Sequence, residues 1–512
     1  MNWLVLVKNF FYRFKEPLIV LFFLLVALSL WHFYKPYPSF WLDESATFNL
    51  ANQSNAGIIR DLLYKWPHPP LYFFLIKFWG IYLGDSEFSL RFPSLIFFLL
   101  TIVFTYLLTK ELFSKRTAYF SLPLSAANYF LIWFSHQARP YEMLAFFSVA
   151  SFYFFELLLK KINKKRIAGY IIATVLGLYL HFWFVLVFFA QFIFVLILRK
   201  EIEFKKIFLA MFFSGFVFLP WAYLYLTRFE GYYVSEAIKK ATLGDLWETL
   251  KYLAWGQEVL LIGVLIFVSA GFILRSGLWD KFKKNKGSQL LIVYFFMPLV
   301  SAFVISQFLP IYTSGRREII IAPAWIGLVA FIFSRIKSTK WFVAVSFLVL
   351  LFSTQAIINS NATMDSFKSD DRKIIYEVLS DMKDGDAVIL GGFSGINFDY
   401  YFKRYEYEKS RDLKIRRIYI PTEIERLVEL EVIKKWAEDE AMLGKFLNDK
   451  KQELDKMLKQ NNVYLFAGSD VLTPKLINFF DKNFNLVRKA GRELPNMPSY
   501  ISEIRVYSLK KN

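Results

Sequence analysis

The 512-residue chain has no cysteine. Disulfides, thiolate nucleophiles and cysteine-ligated metals are therefore excluded, while the redox compartment stays open. Histidine is scarce, with only His32, His68, His136 and His181. Internal repeats and low-complexity tracts are absent. The glycines at 391, 392 and 395 follow a predicted strand but lack the spacing of a dinucleotide fingerprint, and read as a turn. The first apolar run, 18–34, follows Lys8, Arg13 and Lys15 as a signal peptide would, yet ends in no small-residue cleavage site. It reads as a retained first helix with its N-terminus in the cytoplasm.

Apolar and aromatic residues fill the chain instead. It is 56% hydrophobic and 20% aromatic, with 59 phenylalanines. Its mean hydropathy is +0.37. Apolar runs of roughly 17–25 residues, each long enough for a ~30 Å hydrocarbon core, recur along it. Spans are predicted at 18–34, 90–109, 117–134, 140–159, 167–181, 182–198, 207–226, 257–274, 289–308, 318–334 and 341–358. These are the marks of a polytopic α-helical membrane protein with about 11 transmembrane helices. The 167–198 stretch reads either as two helices with His181 in a tight turn or as one long bent helix.

The net charge of +19 raises nucleic acid as a partner, but its distribution points to a membrane. Lysine and arginine concentrate in the alternate short loops 110–116, 160–166, 199–206, 275–286 and 335–340. The intervening segments 35–89 and 227–256 are mixed, and the short 135–139 and 309–317 hold only one and two arginines. This alternation is the positive-inside pattern. It predicts a multi-pass protein of the plasma or inner membrane, its polyanionic neighbour being the cytoplasmic leaflet rather than nucleic acid.

Two regions follow. Residues 1–359 form the membrane part, with a first outer loop at about 35–90. Residues 360–512 form a smaller α/β domain, placed outside the cytoplasm by the number of crossings. In this second region a helix is predicted at 370–383 and strands at 387–390, 415–420 and 463–466. A long helix is predicted at 423–458, and segments 485–488 and 503–508 close the sheet.

Polar residues gather at the predicted outer boundaries. Asp43 and Glu44 open the first outer loop, His68 precedes a double proline, and Arg91 lies at the entry to the second span. His136, Arg139 and Tyr141 precede the fourth span, His181 lies between two spans, and Arg316 and Arg317 precede another. Ionisable groups at membrane depth tend to mark function. Each also has a structural reading. Asp43 and Glu44 suit the N-terminus of a helix, and His68-Pro69-Pro70 suits the start of a juxtamembrane helix. The arginines suit snorkelling, and Tyr141 suits an aromatic belt. Residue type alone leaves both readings open, although convergence on one side favours chemistry on an anionic lipid-linked substrate.

WLDES at 41–45, HPPLYF at 68–73, SEFSLRFPS at 86–94, SHQARPYEM at 135–143 and YLHFW at 179–183 form an ordered series. Together they resemble the bacterial and archaeal relatives of the dolichyl-phosphate-mannose protein mannosyltransferases, a branch of the GT-C fold, with lipid A aminoarabinose transferases as more distant relatives. The resemblance covers about residues 36–200, and 316–323 more weakly. It implies an inverting transfer of a hexosyl or pentosyl group from a polyprenyl-phosphate donor to a lipid, glycan or protein acceptor at the outer face. Asp43 would then be the general base and Glu44 its orienting neighbour. Arg91, Arg139 and Arg316 or Arg317 would bind phosphate. His68, His136 and His181 would be further substrate ligands, and Tyr141 would line the prenyl groove.

No cofactor is expected to be required, because a polyprenyl monophosphate has less charge to neutralise than a pyrophosphate. A divalent cation, if used, would have Asp43, Glu44 and His68 as donors. The rival reading is a transporter or flippase of a lipid-linked sugar. Such a protein should show broken helices at the midplane and an inverted repeat, and the sequence has no such repeat.

Overall fold

The computed structural model describes residues 3–35, 39–64, 68–228, 240–254, 256, 258, 262–263, 285–309, 312, 315–335, 338–366, 371–391, 394–420, 440–459, 461–467, 473–490 and 505–510. Six helices among these are long and apolar enough to cross a bilayer: Lys15–Phe33, Glu87–Leu112, Tyr141–Lys160, Phe204–Thr227, Lys286–Phe308 and Thr339–Ala362. The chain is a multi-pass helical membrane protein with a small C-terminal sheet.

The first helix, α1, runs from Trp3 to Phe33. Three short helices follow before the next long one: α2 (Leu42–Ala51), α3 (Asn55–Tyr64) and α4 (Leu71–Leu83). The ionisable residues of α2 and α3, among them Asp43, Glu44, Arg60 and Asp61, would be costly in hydrocarbon. Helix α4 is itself apolar. It buries Tyr72, Phe73 and Ile76 while exposing Phe78, Ile81 and Tyr82, and it begins at the double proline, as the structural reading of His68-Pro69-Pro70 required.

Next come α5 (Glu87–Leu112), α6 (Lys115–Ala126), α7 (Tyr129–Ser135) and α8 (Tyr141–Lys160). The apolar run 117–134 is thus two helices, not one. Asn128 breaks it, its side chain accepting from the Leu131 amide at 3.1 Å as the N-cap of α7. Helices α9 (Lys164–Leu180) and α10 (Phe184–Ile197) are separated by a turn at His181, which decides between the two readings of 167–198. Gly177 makes that turn compact, because the Phe184 ring lies 2.2 Å from where a Cβ at 177 would sit.

Helices α11 (Phe204–Arg228), α12 (Leu243–Leu253) and α13 (Lys286–Phe308) follow, then a 3₁₀ turn at Arg317–Ile321. The last two in this region are α14 (Ala322–Phe333) and α15 (Thr339–Ser366). The predicted span 257–274 lies outside the described residues, apart from 258, 262 and 263.

The basic loops meet at one end of this bundle. Glu16 pairs with Lys110 and with Lys115 (3.0 Å). Arg116 donates to the Ser334 and Ser338 carbonyls at 3.0 and 3.2 Å. Lys160 pairs with Glu111 at 3.0 Å, and Lys286 with Glu201 at 2.7 Å. The segments grouped by the charge pattern are therefore grouped in space.

Beyond α15 lie α16 (Asp371–Asp381), β1 (Ala387–Gly391), α17 (Ser394–Lys409), β2 (Arg416–Ile420) and α18 (Glu440–Met457). The chain then continues as β3 (Val463–Ala467), α19 (Thr473–Asn483), β4 (Asn485–Ala490) and β5 (Arg505–Lys510). The sheet order is β2-β1-β3-β5-β4. β1 runs parallel to β2 and β3, whereas β5 is antiparallel to β3 and β4. β1 and β3 are buried throughout, as continuous apolar runs covered on both faces should be. The first half of the predicted helix 423–458 lies outside the described residues.

Helix α17 joins this sheet to the membrane region. The Phe40 amide donates to the Tyr401 hydroxyl at 2.6 Å, and Asn49 Nδ2 donates to the Ile396 carbonyl at 2.9 Å. Arg404 pairs with Asp85 at 2.7 Å, and the Tyr400 hydroxyl donates to the Asp85 carbonyl at 3.0 Å. Helix α2 is consequently held between the bundle and α17.

Candidate active site

The site is built on the first turn of α2. Trp41 is its N-cap, so Asp43 and Glu44 are the second and third helical residues. Successive helical positions are about 100° apart, and the two carboxylates accordingly face different partners.

Glu44 is buried, and its carboxylate is fully engaged. Arg91 from the second turn of α5 grips it with Nε to Oε1 at 2.8 Å and Nη2 to Oε2 at 2.7 Å. The Ala138 amide donates to Oε1 at 2.7 Å and the Trp41 amide to Oε2 at 3.3 Å. Arg91 in turn donates to the Ser39 carbonyl at 3.0 Å and lies 5.2 Å from the Phe40 ring centre. This is a two-pronged guanidinium–carboxylate pair of the strong kind. It staples the start of α2 to α5 and to the loop before α8. Glu44 and Arg91, expected beside the substrate, are committed to each other.

Asp43 is different. Its side chain is 29% exposed, with Arg139 Nη2 3.5 Å and Arg316 Nη1 3.8 Å from Oδ2. Arg139 is anchored by donating through Nη1 to the Asp43 carbonyl (3.2 Å) and to Thr47 Oγ1 (2.9 Å), one turn along α2. Its guanidinium lies 5.8 Å from the Tyr141 ring centre. Burial opposes the charge on Arg139, but Asp43 and the neighbouring tyrosines hold its pKa above the usual value. Arg316 lies over the Trp41 ring at 5.2 Å, and Arg317 over Trp183 at 5.8 Å. Gly315 precedes them with φ +72°, a left-handed turn that glycine enters without strain, and the Tyr252 ring occupies the place of a Cβ there. Of the two arginines, Arg316 is thus the one that faces Asp43.

His68 and His181 complete the group, their ring centres 5.5 Å apart. The Trp183 amide donates to His181 Nδ1 at 3.1 Å, so the neutral ring carries its proton on Nε2. Burial pushes the His68 pKa down to about 3, with Arg139 and Arg317 adding to the effect. His181 is pushed well below its usual value by burial and then by His68 and the same arginines. Both rings are neutral hydrogen-bonding groups at neutral pH.

His136 is placed elsewhere. Its ring stacks on Trp31 at 4.6 Å and packs against Tyr34 at 4.7 Å. Its nitrogens face the Ile132 and Trp31 carbonyls at 2.9 and 3.1 Å. It is a packing residue that ties α1 to α7, not the substrate ligand expected of it. Thr47 and Trp41, on the other hand, were not singled out from sequence. Thr47 has a signal in its i+4 spacing from Asp43, and Trp41 in its place at the head of WLDES.

The group can accept a proton at one open carboxylate and hold an anion at two or three guanidiniums, with neutral imidazoles beside them. Among the described residues no three histidine or acidic side chains come together as a metal site. Glu44 is turned to Arg91 and Asp43 to Arg139 and Arg316.

Residues 67–224 match the family described as dolichyl-phosphate-mannose-protein mannosyltransferase. No curated protein matches the chain by sequence. Among solved structures, ArnT from Cupriavidus metallidurans in the apo state is similar with a TM-score of 0.57 at 10% identity, covering 95% of this chain and 97% of that one. The same protein bound to undecaprenyl phosphate gives 0.56 at 11% identity, with the same coverages. The apo oligosaccharyltransferase from Archaeoglobus fulgidus gives 0.56 at 11% identity, covering 94% of this chain and 74% of that one.

Proposed function

We propose that this chain, which has the GT-C fold of membrane glycosyltransferases, transfers a sugar from a polyprenyl-phosphate carrier to a hydroxyl acceptor. The observation that carries the reading is Asp43, a partly exposed carboxylate with Arg139 and Arg316 on one of its oxygens. The undecaprenyl phosphate bound to the similar ArnT supports a donor of this class.

The acceptor oxygen attacks the anomeric carbon as the bond from that carbon to the phosphate oxygen breaks, inverting the centre. Asp43 takes the hydroxyl proton, a role that requires contact at ~3 Å. Negative charge grows on the departing phosphate, and Arg139 and Arg316 stabilise it as preorganised donors. Arginine suits that place because its fork matches two phosphate oxygens at once. Arg317, His68 and His181 hold the remaining phosphate and sugar oxygens. Glu44 and Arg91 position the helix that carries Asp43.

The guanidiniums supply the positive charge, so transfer proceeds in excess EDTA; its abolition there would require a bound cation. The basic end of the bundle faces the cytoplasm, and Asp43 and the C-terminal sheet lie on the opposite side of the cell membrane. A reporter fused after Asn359 should therefore read as extracytoplasmic, and a cytoplasmic readout reverses the orientation. The enzymatic reading is tested with a panel of polyprenyl-phosphate sugars in liposomes. Donor binding without transfer to any acceptor places the protein among transporters.

A further inference from the structure

Beside the second half of α2 lies a cavity of about 370 Å³, walled also by Asp61 of α3, by α17 and by β2. That volume falls within the ~300–1,000 Å³ common for small-molecule sites. We infer that it binds a neutral, hydroxyl-rich saccharide, the non-reacting portion of the acceptor. The assignment of an acceptor rests on the transferase reading above; the saccharide class does not.

The wall chemistry favours this class over an anion. The amides of Asn49, Asn52 and Gln53 line one side, and Asp399 and Glu406 the other. The two cations present are already placed. Lys403 lies 5.7 Å over Phe48, and Arg417 lies 4.9 Å over Phe402 and 3.5 Å from Asp399. Asp61, also on the wall, pairs with Arg60 at 3.0 Å and accepts from Gln53 Nε2 at 3.0 Å, so the wall offers no net positive charge to draw in a phosphate. Carboxylates keep lone pairs beyond those the protein uses, and amides both donate and accept. Hydroxyl groups, which also do both, match such a wall.

The position and rigidity of the cavity suit an acceptor as well. Ala46, Asn49 and Leu50 of the lining recur at three- and four-residue steps on one face of α2, beside the face that carries Asp43 and Thr47. A ligand of more than one sugar unit seated here could present its terminal hydroxyl around the start of α2. The walls are fixed relative to each other by Asn49 on the Ile396 carbonyl and Tyr401 on the Phe40 amide. Such a site needs little ordering on binding.

The test uses saturation-transfer difference NMR on the detergent-solubilised full chain, with methyl glycosides of hexoses and N-acetylhexosamines as probes. Wild type should give saccharide signals. Ala46→Trp, which fills the cavity, should reduce them at least fivefold, and Asn52→Trp at its exposed rim should reduce them too. If Ala46→Trp fails to fold, the rim variant decides alone. Titration with undecaprenyl phosphate, read by tryptophan fluorescence, should stay within twofold of wild type in both variants. Absence of signals in wild type, or signals unchanged in the variants, overturns the site. Variant-sensitive binding of a charged peptide in place of sugars overturns the ligand class. Saccharide binding by a chain that ignores undecaprenyl phosphate leaves the cavity assigned and refutes the donor.

Discussion

Glu44 and Arg91 offer a test that separates support of the site from chemistry in it. In Glu44→Gln one acceptor oxygen is replaced by an NH₂ group. The carboxylate now accepts from Arg91 twice, from the Ala138 amide and from the Trp41 amide. A carboxamide cannot satisfy that set, and one amine must face a donor. Arg91 is left charged at a site where its side chain is only 8% exposed. Breaking a buried pair from one side costs about 3–5 kcal/mol, and Arg91→Ala should cost a similar amount. The double variant Glu44→Gln/Arg91→Gln leaves no unpaired charge and should recover more than half of the loss. The assay is thermal unfolding of purified protein beside transfer activity. Both single variants should be unstable, and the double variant should be more stable and keep measurable transfer. A Glu44→Gln protein with wild-type stability and no transfer would refute the supporting role, because Glu44 would then act on the substrate.

Three further outcomes follow from the same geometry. Arg139→Ala and Arg316→Ala should each lower kcat by about 10²–10³-fold, the usual effect of losing one preorganised donor. Arg139→Lys should rescue little, since it loses the fork that spans Asp43 and Thr47; steady-state kinetics decides. The His68 pKa, near 3 in the folded chain, lies below its ordinary value of 6.5. Between these values the unfolded chain binds a proton that the native one does not, so stability should fall as pH drops through this window. His68→Gln should flatten that acid limb in pH-dependent unfolding, and an unchanged slope would remove the contribution.

The sequence made most of the bundle legible because an apolar run of about 20 residues has few alternatives in lipid. Its errors came where a single polar residue decides. Asn128 caps a helix inside the run 117–134, and hydropathy averages over such a residue. The 318–334 run likewise opens with a 3₁₀ turn before a 12-residue helix. Asp43, Arg139, His68, His181, Arg316 and Arg317 were all gathered by sequence at one boundary, and the structure brings them together. The division of labour between Asp43 and Glu44 was not legible. It depends on the residue at which α2 begins, since one step turns a side chain by about 100°. His136 stood at the right depth, but its direction is set by Trp31 and Tyr34, about a hundred residues earlier in the chain.

The most direct measurement is sugar transfer by wild type and Asp43→Asn, reconstituted with the same panel of polyprenyl-phosphate sugars. Asparagine keeps the size and the contacts to Arg139 but cannot take up the proton. The variant should fold, bind undecaprenyl phosphate and lose transfer by about 10²–10⁴-fold, the span of general-base catalysis. Transfer at the wild-type rate by Asp43→Asn would contradict the role of Asp43 as the base.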